Sequence, residues 1–222
     1  MSERRLFLPG LAARGSLYAP GLPQGWIALD PPLLGETRGS FDAHRQWLLE
    51  ELEQYGRPVS LAGHSLGAAL AIAAAADRPD LVEELILFSP AGLPLSKPMR
   101  DSLWLLIQQV VQGLYPAKEV VAVVGETIKH PRATHRLAHE AHDLDLSAEM
   151  TRIADAGISA LVVACASDTL TTPAVCRRIA ATLGCVCEQI EGAGHMWVLS
   201  NLAQFRAFLR PLLPKAGALA GP

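Results

Sequence analysis

A chain of 222 residues suits one domain with room for an insertion. Half of its residues are hydrophobic and 18% are charged, which supports a substantial buried core and excludes a disordered chain. A net charge of −3 without long runs of one sign excludes the clustered basic face of a nucleic-acid binder, and the apolar stretches are too short or too interrupted to span a bilayer.

Arg4 and Arg5 precede an apolar stretch, but Pro9, Gly10 and Arg14 interrupt it almost at once. It therefore reads as a first core strand near Arg5–Leu8, not as a leader. The strand ends in a loop over residues 9–16. A second short strand near 26–29 runs into a proline-rich turn at 30–35. Ser40 can cap a helix reaching about Tyr55, with Trp47, Leu48, Leu52 and Tyr55 on its apolar stripe. Residues 59–62 read as a short buried strand, 68–76 as an alanine-rich helix and 85–88 as another strand. Residues 160–164 and Val186–Ile190 supply two more strands, separated by a helix near Pro173–Leu183, and a final helix covers about 202–213. Strands alternating with helices imply an α/β fold, with a mostly parallel sheet of about six strands and helices on both faces.

One segment breaks the alternation. Residues 93–147 read as helical throughout, with Leu103, Leu106, Ile107, Val110 and Leu114 at helical spacing. Over fifty residues far exceed what one crossover between parallel strands needs. The expected division is a core made of residues 1–92 and 148–222, carrying a helical cap over 93–147.

The chemistry concentrates at Val59-Ser60-Leu61-Ala62-Gly63-His64-Ser65-Leu66-Gly67-Ala68-Ala69. An apolar strand runs directly into Gly-x-Ser-x-Gly, and an apolar helix follows, which is the setting that gives such a motif meaning. The turn must be tight enough to leave Ser65 projecting alone above the sheet. Side chains at Gly63 and Gly67 would collide with the neighbouring strand and helix. The Leu66 amide, at the helix start, can donate to a developing oxyanion. A nucleophilic serine needs a base, and the base an orienting carboxylate. Asp168 follows the strand 160–164, and His195 lies just beyond the last strand in Glu191-Gly192-Ala193-Gly194-His195. Both then sit at the C-terminal edge of the sheet, where sites form in open parallel sheets. Alone, Asp168 reads as a helix cap before Pro173 and His195 as a loop histidine. In the order Ser, Asp, His, at these strand ends, they read as a triad.

These anchors resemble the α/β-hydrolase superfamily, and most of all its small, cap-bearing serine carboxylesterases. The resemblance runs from Leu6 to Leu213 and rests on Gly63-His64-Ser65-Leu66-Gly67, the Asp168 to Pro173 loop and Gly192-Ala193-Gly194-His195, with Phe88-Ser89-Pro90-Ala91-Gly92 resembling the strand end before the cap. It implies Ser65 as nucleophile, His195 as base, Asp168 as acid, and the Leu11 amide beside that of Leu66 in the oxyanion hole. It implies hydrolysis of a small-molecule carboxylic ester or thioester through an acyl-enzyme, without metal or other cofactor. Two positions depart from the pattern. Pro9-Gly10 stands where relatives have His-Gly, and Asp30-Pro31-Pro32-Leu33-Leu34-Gly35 replaces an Asp-x-x-Gly-x-Gly turn.

Other candidates carry less. Trp197, Trp104 and Leu93 are expected to contact substrate, Trp197 because it lies two residues after His195. His64 reads as a packing and hydrogen-bonding residue, not a second base. His130, His135, His139 and His142, with Asp143 and Asp145, match no zinc motif and read as a solvated or cap-packing face. Cys165, Cys176, Cys185 and Cys187 read as reduced thiols packed as small hydrophobes, which suggests a cytoplasmic protein. A carbon–carbon bond hydrolase or lyase on the same scaffold, and a non-catalytic ligand-binding protein, are the competing readings. Epoxide hydrolases and haloalkane dehalogenases are disfavoured, because they use a carboxylate where Ser65 stands.

Overall fold

The computed structural model describes residues 4–113 and 125–212. Its centre is a parallel six-stranded sheet of β1 (Arg5–Leu8), β2 (Trp26–Ala28), β3 (Val59–His64), β4 (Val82–Phe88), β5 (Ser159–Cys165) and β6 (Val186–Ile190). The spatial order is β2-β1-β3-β4-β5-β6. The chain steps from β1 outwards to β2, returns across β1 to β3, and then moves steadily the other way. The order therefore reverses between β1 and β3, and a crevice opens at the C-terminal ends of those two strands.

The strands explain themselves by alternation. Leu6 and Leu8 of β1, Leu85 and Leu87 of β4, and Val162 and Ala164 of β5 join one buried layer. Phe7, Ile86, Phe88, Val163 and Cys165 join the layer on the opposite face. Successive side chains point to opposite faces, so a strand covered on both sides must be apolar at every position. The first layer is closed by the helices Phe41–Gln54, Leu66–Asp77 and Pro173–Leu183. The second is an aromatic cluster in which Phe88 meets Phe205 and Phe208 edge-on and lies tilted against Phe7 and Trp197. Ala68, Ala69, Ala71 and Ala73 of helix Leu66–Asp77 are fully buried, and their small size lets this helix lie close against β3.

Local geometry shifts several boundaries. β3 continues through His64, and its helix starts at Leu66 instead of 68, because the turn between them is a single residue. The last helix spans Leu202–Leu209, followed by a 3-10 turn at Arg210–Leu212; Leu213 lies outside the described residues. The stretch between β4 and β5 is not helical throughout. Residues 93–98 are irregular, since Pro94 and Pro98 disfavour a helical backbone at the residue before each. Helices follow at Met99–Gly113, residues 125–129, Pro131–Asp143 and Ser147–Asp155. Leu114 lies outside the described residues. Helix Ser147–Asp155 was not anticipated. It buries Met150 and Ile153 in the first core layer and is the true crossover into β5. No described helix is long and apolar enough to cross a membrane.

Candidate active site

Ser65 is the one residue between β3 and its helix, and its backbone is held at φ 54°, ψ −116°. That conformation is strained for a side chain with a Cβ and persists only when its surroundings fix it. They do so through four backbone hydrogen bonds. Ser65 N–H donates to the Phe88 carbonyl at 2.9 Å, and the Ser65 carbonyl accepts from Ala68, Ala69 and Ala91 at 3.1, 3.2 and 3.1 Å. The flanking glycines are demanded by contact. A Cβ on Gly63 would lie 2.5 Å from the carbonyl carbon of Gly67, and one on Gly67 would collide with the backbone of Leu8 and Pro9.

His195 arrives from the loop after β6 and Asp168 from the loop after β5. Nε2 of His195 lies 3.1 Å from Ser65 Oγ, and Nδ1 lies 2.7 Å from Asp168 Oδ2. With Nδ1–H donating to the carboxylate, Nε2 is left as an acceptor for the serine hydroxyl. The side chains of His195 and Asp168 are 1% and 0% exposed. Asp168 Oδ1 accepts the amides of Leu170 and Thr171 at 2.8 and 3.0 Å, and Thr171 Oγ1 lies 2.9 Å from Oδ2. Burial would raise the Asp168 carboxyl. The His195 imidazole, its hydrogen bond, the Leu170 amide and the Thr171 hydroxyl outweigh burial and hold it below the usual range.

Thr171 was not singled out by sequence, though it sits in the quoted Asp168 to Pro173 loop. Its hydroxyl also lies 3.0 Å from the Ser89 carbonyl and 3.3 Å from His195 Nδ1, joining the ends of β4, β5 and β6. His64 turns away from the hydroxyl of Ser65 into a buried contact with Tyr18. Burial, then the neighbouring His195, pushes the His64 imidazole down to about 3, so it is neutral. Tyr18 carries no sequence signal either; it closes a one-turn helix, Gly15–Tyr18, that begins at the end of the 9–16 loop.

A cavity of about 340 Å3 opens onto Ser65 and His195. Its wall includes Leu11 and Leu66 from the two strand ends and Leu95, Met99, Ile107 and Met196. Trp197, Trp104 and Leu93 are not among the described lining residues. The Trp197 indole packs on Phe88, Phe205 and Phe208 and donates to Gln204 Oε1 at 2.8 Å. Helix Trp197–Ser200 starts there and turns the side chain into the aromatic core. Trp104 is 59% exposed, and Leu93 is buried in the first core layer. Asp30 accepts the Gly15 amide at 2.7 Å and pairs with Arg14, so it braces the wall after β2.

The histidines of residues 130–142 divide. The His135 and His139 rings lie tilted against each other with centroids 4.8 Å apart, His130 lies against Gly35 and Glu126, and His142 lines the cavity. His142 donates from Nε2 to the Lys97 carbonyl at 2.8 Å, and its hydrogen bond to Asp143 raises its imidazole. Among the described residues no three side chains converge as metal ligands. The four cysteines are free thiols; burial pushes Cys165 up to about 12 and raises the other three.

Residues 6–208 match the sequence profile of the alpha/beta hydrolase family. The fold is shared with solved structures of low sequence identity. Est816, described as an N-acyl homoserine lactone degrading enzyme, superposes with a TM-score of 0.75 at 17% identity, over 96% of this chain and 94% of its own. Olei00960, a hydrolase from Oleispira antarctica, gives 0.73 at 15%, over 96% and 91%. The haloalkane dehalogenase DbeA from Bradyrhizobium elkani gives 0.72 at 18%, over 95% and 89%. Comparison with curated proteins gives no match.

Proposed function

The chain belongs to the alpha/beta hydrolase family, and we propose that within it the protein is a serine hydrolase of carboxylic esters or thioesters with small to medium apolar acyl groups. The observation that carries the proposal is the hydrogen-bonded line from Asp168 through His195 to Ser65 at the floor of an apolar cavity. A fold shared with a dehalogenase does not choose the chemistry; the residues at the strand ends do.

His195 Nε2 takes the Ser65 proton as Oγ attacks the acyl carbon. Asp168 stabilises the imidazolium that forms, and the same proton then passes to the leaving alkoxide or thiolate. The acyl group stays on Ser65 until water, activated by His195, releases the acid. The Leu66 amide at the helix start is one oxyanion donor. Gly10 N–H is already engaged by Tyr18 Oη at 3.2 Å, which leaves the next amide, Leu11, as the second.

A cavity of about 340 Å3 lies at the small end of the roughly 300–1,000 Å3 of ligand pockets, and its apolar wall favours a short hydrocarbon acyl chain over a polymer. Residues 93–147 act as the cap that sets this choice, supported by Leu95, Met99, Ile107 and His142 in the wall. Four free thiols support a cytoplasmic location. The test is kcat/KM across p-nitrophenyl and coenzyme A esters of graded acyl length. A maximum at short to medium chains is expected. No turnover of any ester would favour carbon–carbon cleavage or simple binding instead.

A further inference from the structure

We propose that Tyr18 and His64 form a buried positioning pair that ties the loop after β1 to the backbone of His195, keeping oxyanion donor and base in register. The proposal rests on the Ser65–His195 reading of the site.

Three contacts make one directional line. Gly10 N–H lies 3.2 Å from Tyr18 Oη, Tyr18 Oη lies 2.9 Å from His64 Nδ1, and His64 Nε2 lies 2.9 Å from the carbonyl of His195. An amide can only donate and a carbonyl only accept. Tyr18 Oη therefore accepts from Gly10 and gives its own proton to His64 Nδ1. That leaves Nε2–H to donate to His195. One proton arrangement satisfies every group, and it requires a neutral imidazole. Burial and the nearby His195 enforce that state by pushing His64 down to about 3.

The line crosses the site where precision matters. Gly10 precedes the candidate donor Leu11, His64 precedes Ser65, and His195 is the base. These residues come from the ends of β1, β3 and β6, and His64 and His195 alone are 131 positions apart. Both side chains are fully enclosed, Tyr18 at 0% and His64 at 2% exposure. Gly10 is seated on them: a Cβ there would stand 3.2 Å from His64 Nδ1 and 3.4 Å from Tyr18 Oη. Stability alone does not call for such a pair. Apolar residues of similar shape replacing both partners of a buried hydrogen bond are often nearly neutral, while an ångström of displacement at a reacting centre can cost about 100-fold in rate.

The experiment compares Tyr18→Phe, His64→Gln, the double variant Tyr18→Phe/His64→Leu, and Ser65→Ala on one p-nitrophenyl ester. Fluorophosphonate titration counts active sites, and thermal unfolding checks the fold. Tyr18→Phe and the double variant should lose about 10- to 100-fold in kcat with KM within about twofold and a full active-site count. His64→Gln keeps one acceptor and one donor and should recover most of kcat. The double variant should lose little more than Tyr18→Phe, because the pair acts as a unit. A normal kcat in folded Tyr18→Phe overturns the pair, as does a loss wholly explained by a lower active-site count. If the double variant does not fold, the two single variants decide, and equal kcat in both overturns the proposal. Retained activity in Ser65→Ala would instead overturn the site reading beneath it.

Discussion

The sheet edge that carries Ser65, Asp168 and His195 and the segment between β4 and β5 face the same cavity but are built in contrasting ways. At the sheet edge the side chains of Asp168, His195 and Ser65 are tied to one another, and Asp168 also to the amides of Leu170 and Thr171. Ser65 is strained and held by four backbone bonds, and Asp168 and His195 are enclosed. The segment between the strands instead displays apolar side chains: Trp104 is 59% and Ile107 47% exposed on helix Met99–Gly113. It is anchored by Leu93, Leu137 and Leu146 in the first core layer and by hydrogen bonds such as Phe41 N–H to Glu140 at 2.6 Å and Leu34 N–H to Glu126 at 3.2 Å. On the proposed reading the contrast places chemistry and substrate choice on separable parts, so the second should be open to alteration without touching the triad.

The largest effect expected at the sheet edge is that of Ser65→Ala, which should lower kcat on the order of 10⁶-fold while leaving the thermal transition in place. Asp168→Asn should lower kcat about 10⁴-fold with KM nearly unchanged, because the amide holds His195 in the wrong tautomer. A normal kcat there would remove Asp168 from the line. Thr171→Val deletes the hydroxyl beside Asp168 Oδ2 and the Ser89 carbonyl; we expect about a tenfold loss in kcat and about 1–2 kcal/mol of stability, read by denaturant titration.

In the other region the contrast predicts a different signature. Met99→Ala and Ile107→Ala should shift relative kcat/KM between short and long acyl esters by roughly tenfold, with smaller changes in stability. Hydrogen exchange should show residues 99–113 and 131–143 opening more readily than Val59–His64. If cap substitutions scale all substrates equally and these helices exchange as slowly as β3, the two regions are one rigid scaffold.

A separate effect is expected in acid. The folded chain keeps His64 neutral down to about 3, whereas the unfolded chain takes up that proton near the ordinary value of 6.5. The stability His64 contributes is therefore complete above 6.5 and is lost as pH falls from there towards 3. The limiting slope is about 1.4 kcal/mol per pH unit. Asp168, held below its ordinary 3.8, adds a loss in the same direction at lower pH. The same titration on His64→Gln should be flatter between pH 6.5 and 4; an unchanged slope would assign the acid loss to other groups.

What could be read from the sequence follows from how local each signal is. β3, the turn at Ser65 and the helix after it lie within twenty residues, and their glycines and alanines report directly on close contacts. The strand pattern was legible because strands covered on both faces must be apolar. The direction of a side chain after a loop was not. Trp197 reads as a neighbour of His195, yet the helix that begins at Trp197 turns its indole onto Phe88 and Phe205. The Tyr18–His64 contact spans 46 positions and leaves no periodic trace. Helix Ser147–Asp155 leaves little trace in the sequence because only Met150 and Ile153 mark its buried face.

Fluorophosphonate labelling with peptide mapping, in the wild type and in Ser65→Ala, tests the central claim most directly. The account predicts one adduct per chain, carried by the peptide containing Gly63-His64-Ser65, and neither label nor ester turnover in the folded Ser65→Ala variant. Labelling of another residue, or ester hydrolysis within tenfold of wild type in that variant, would contradict it.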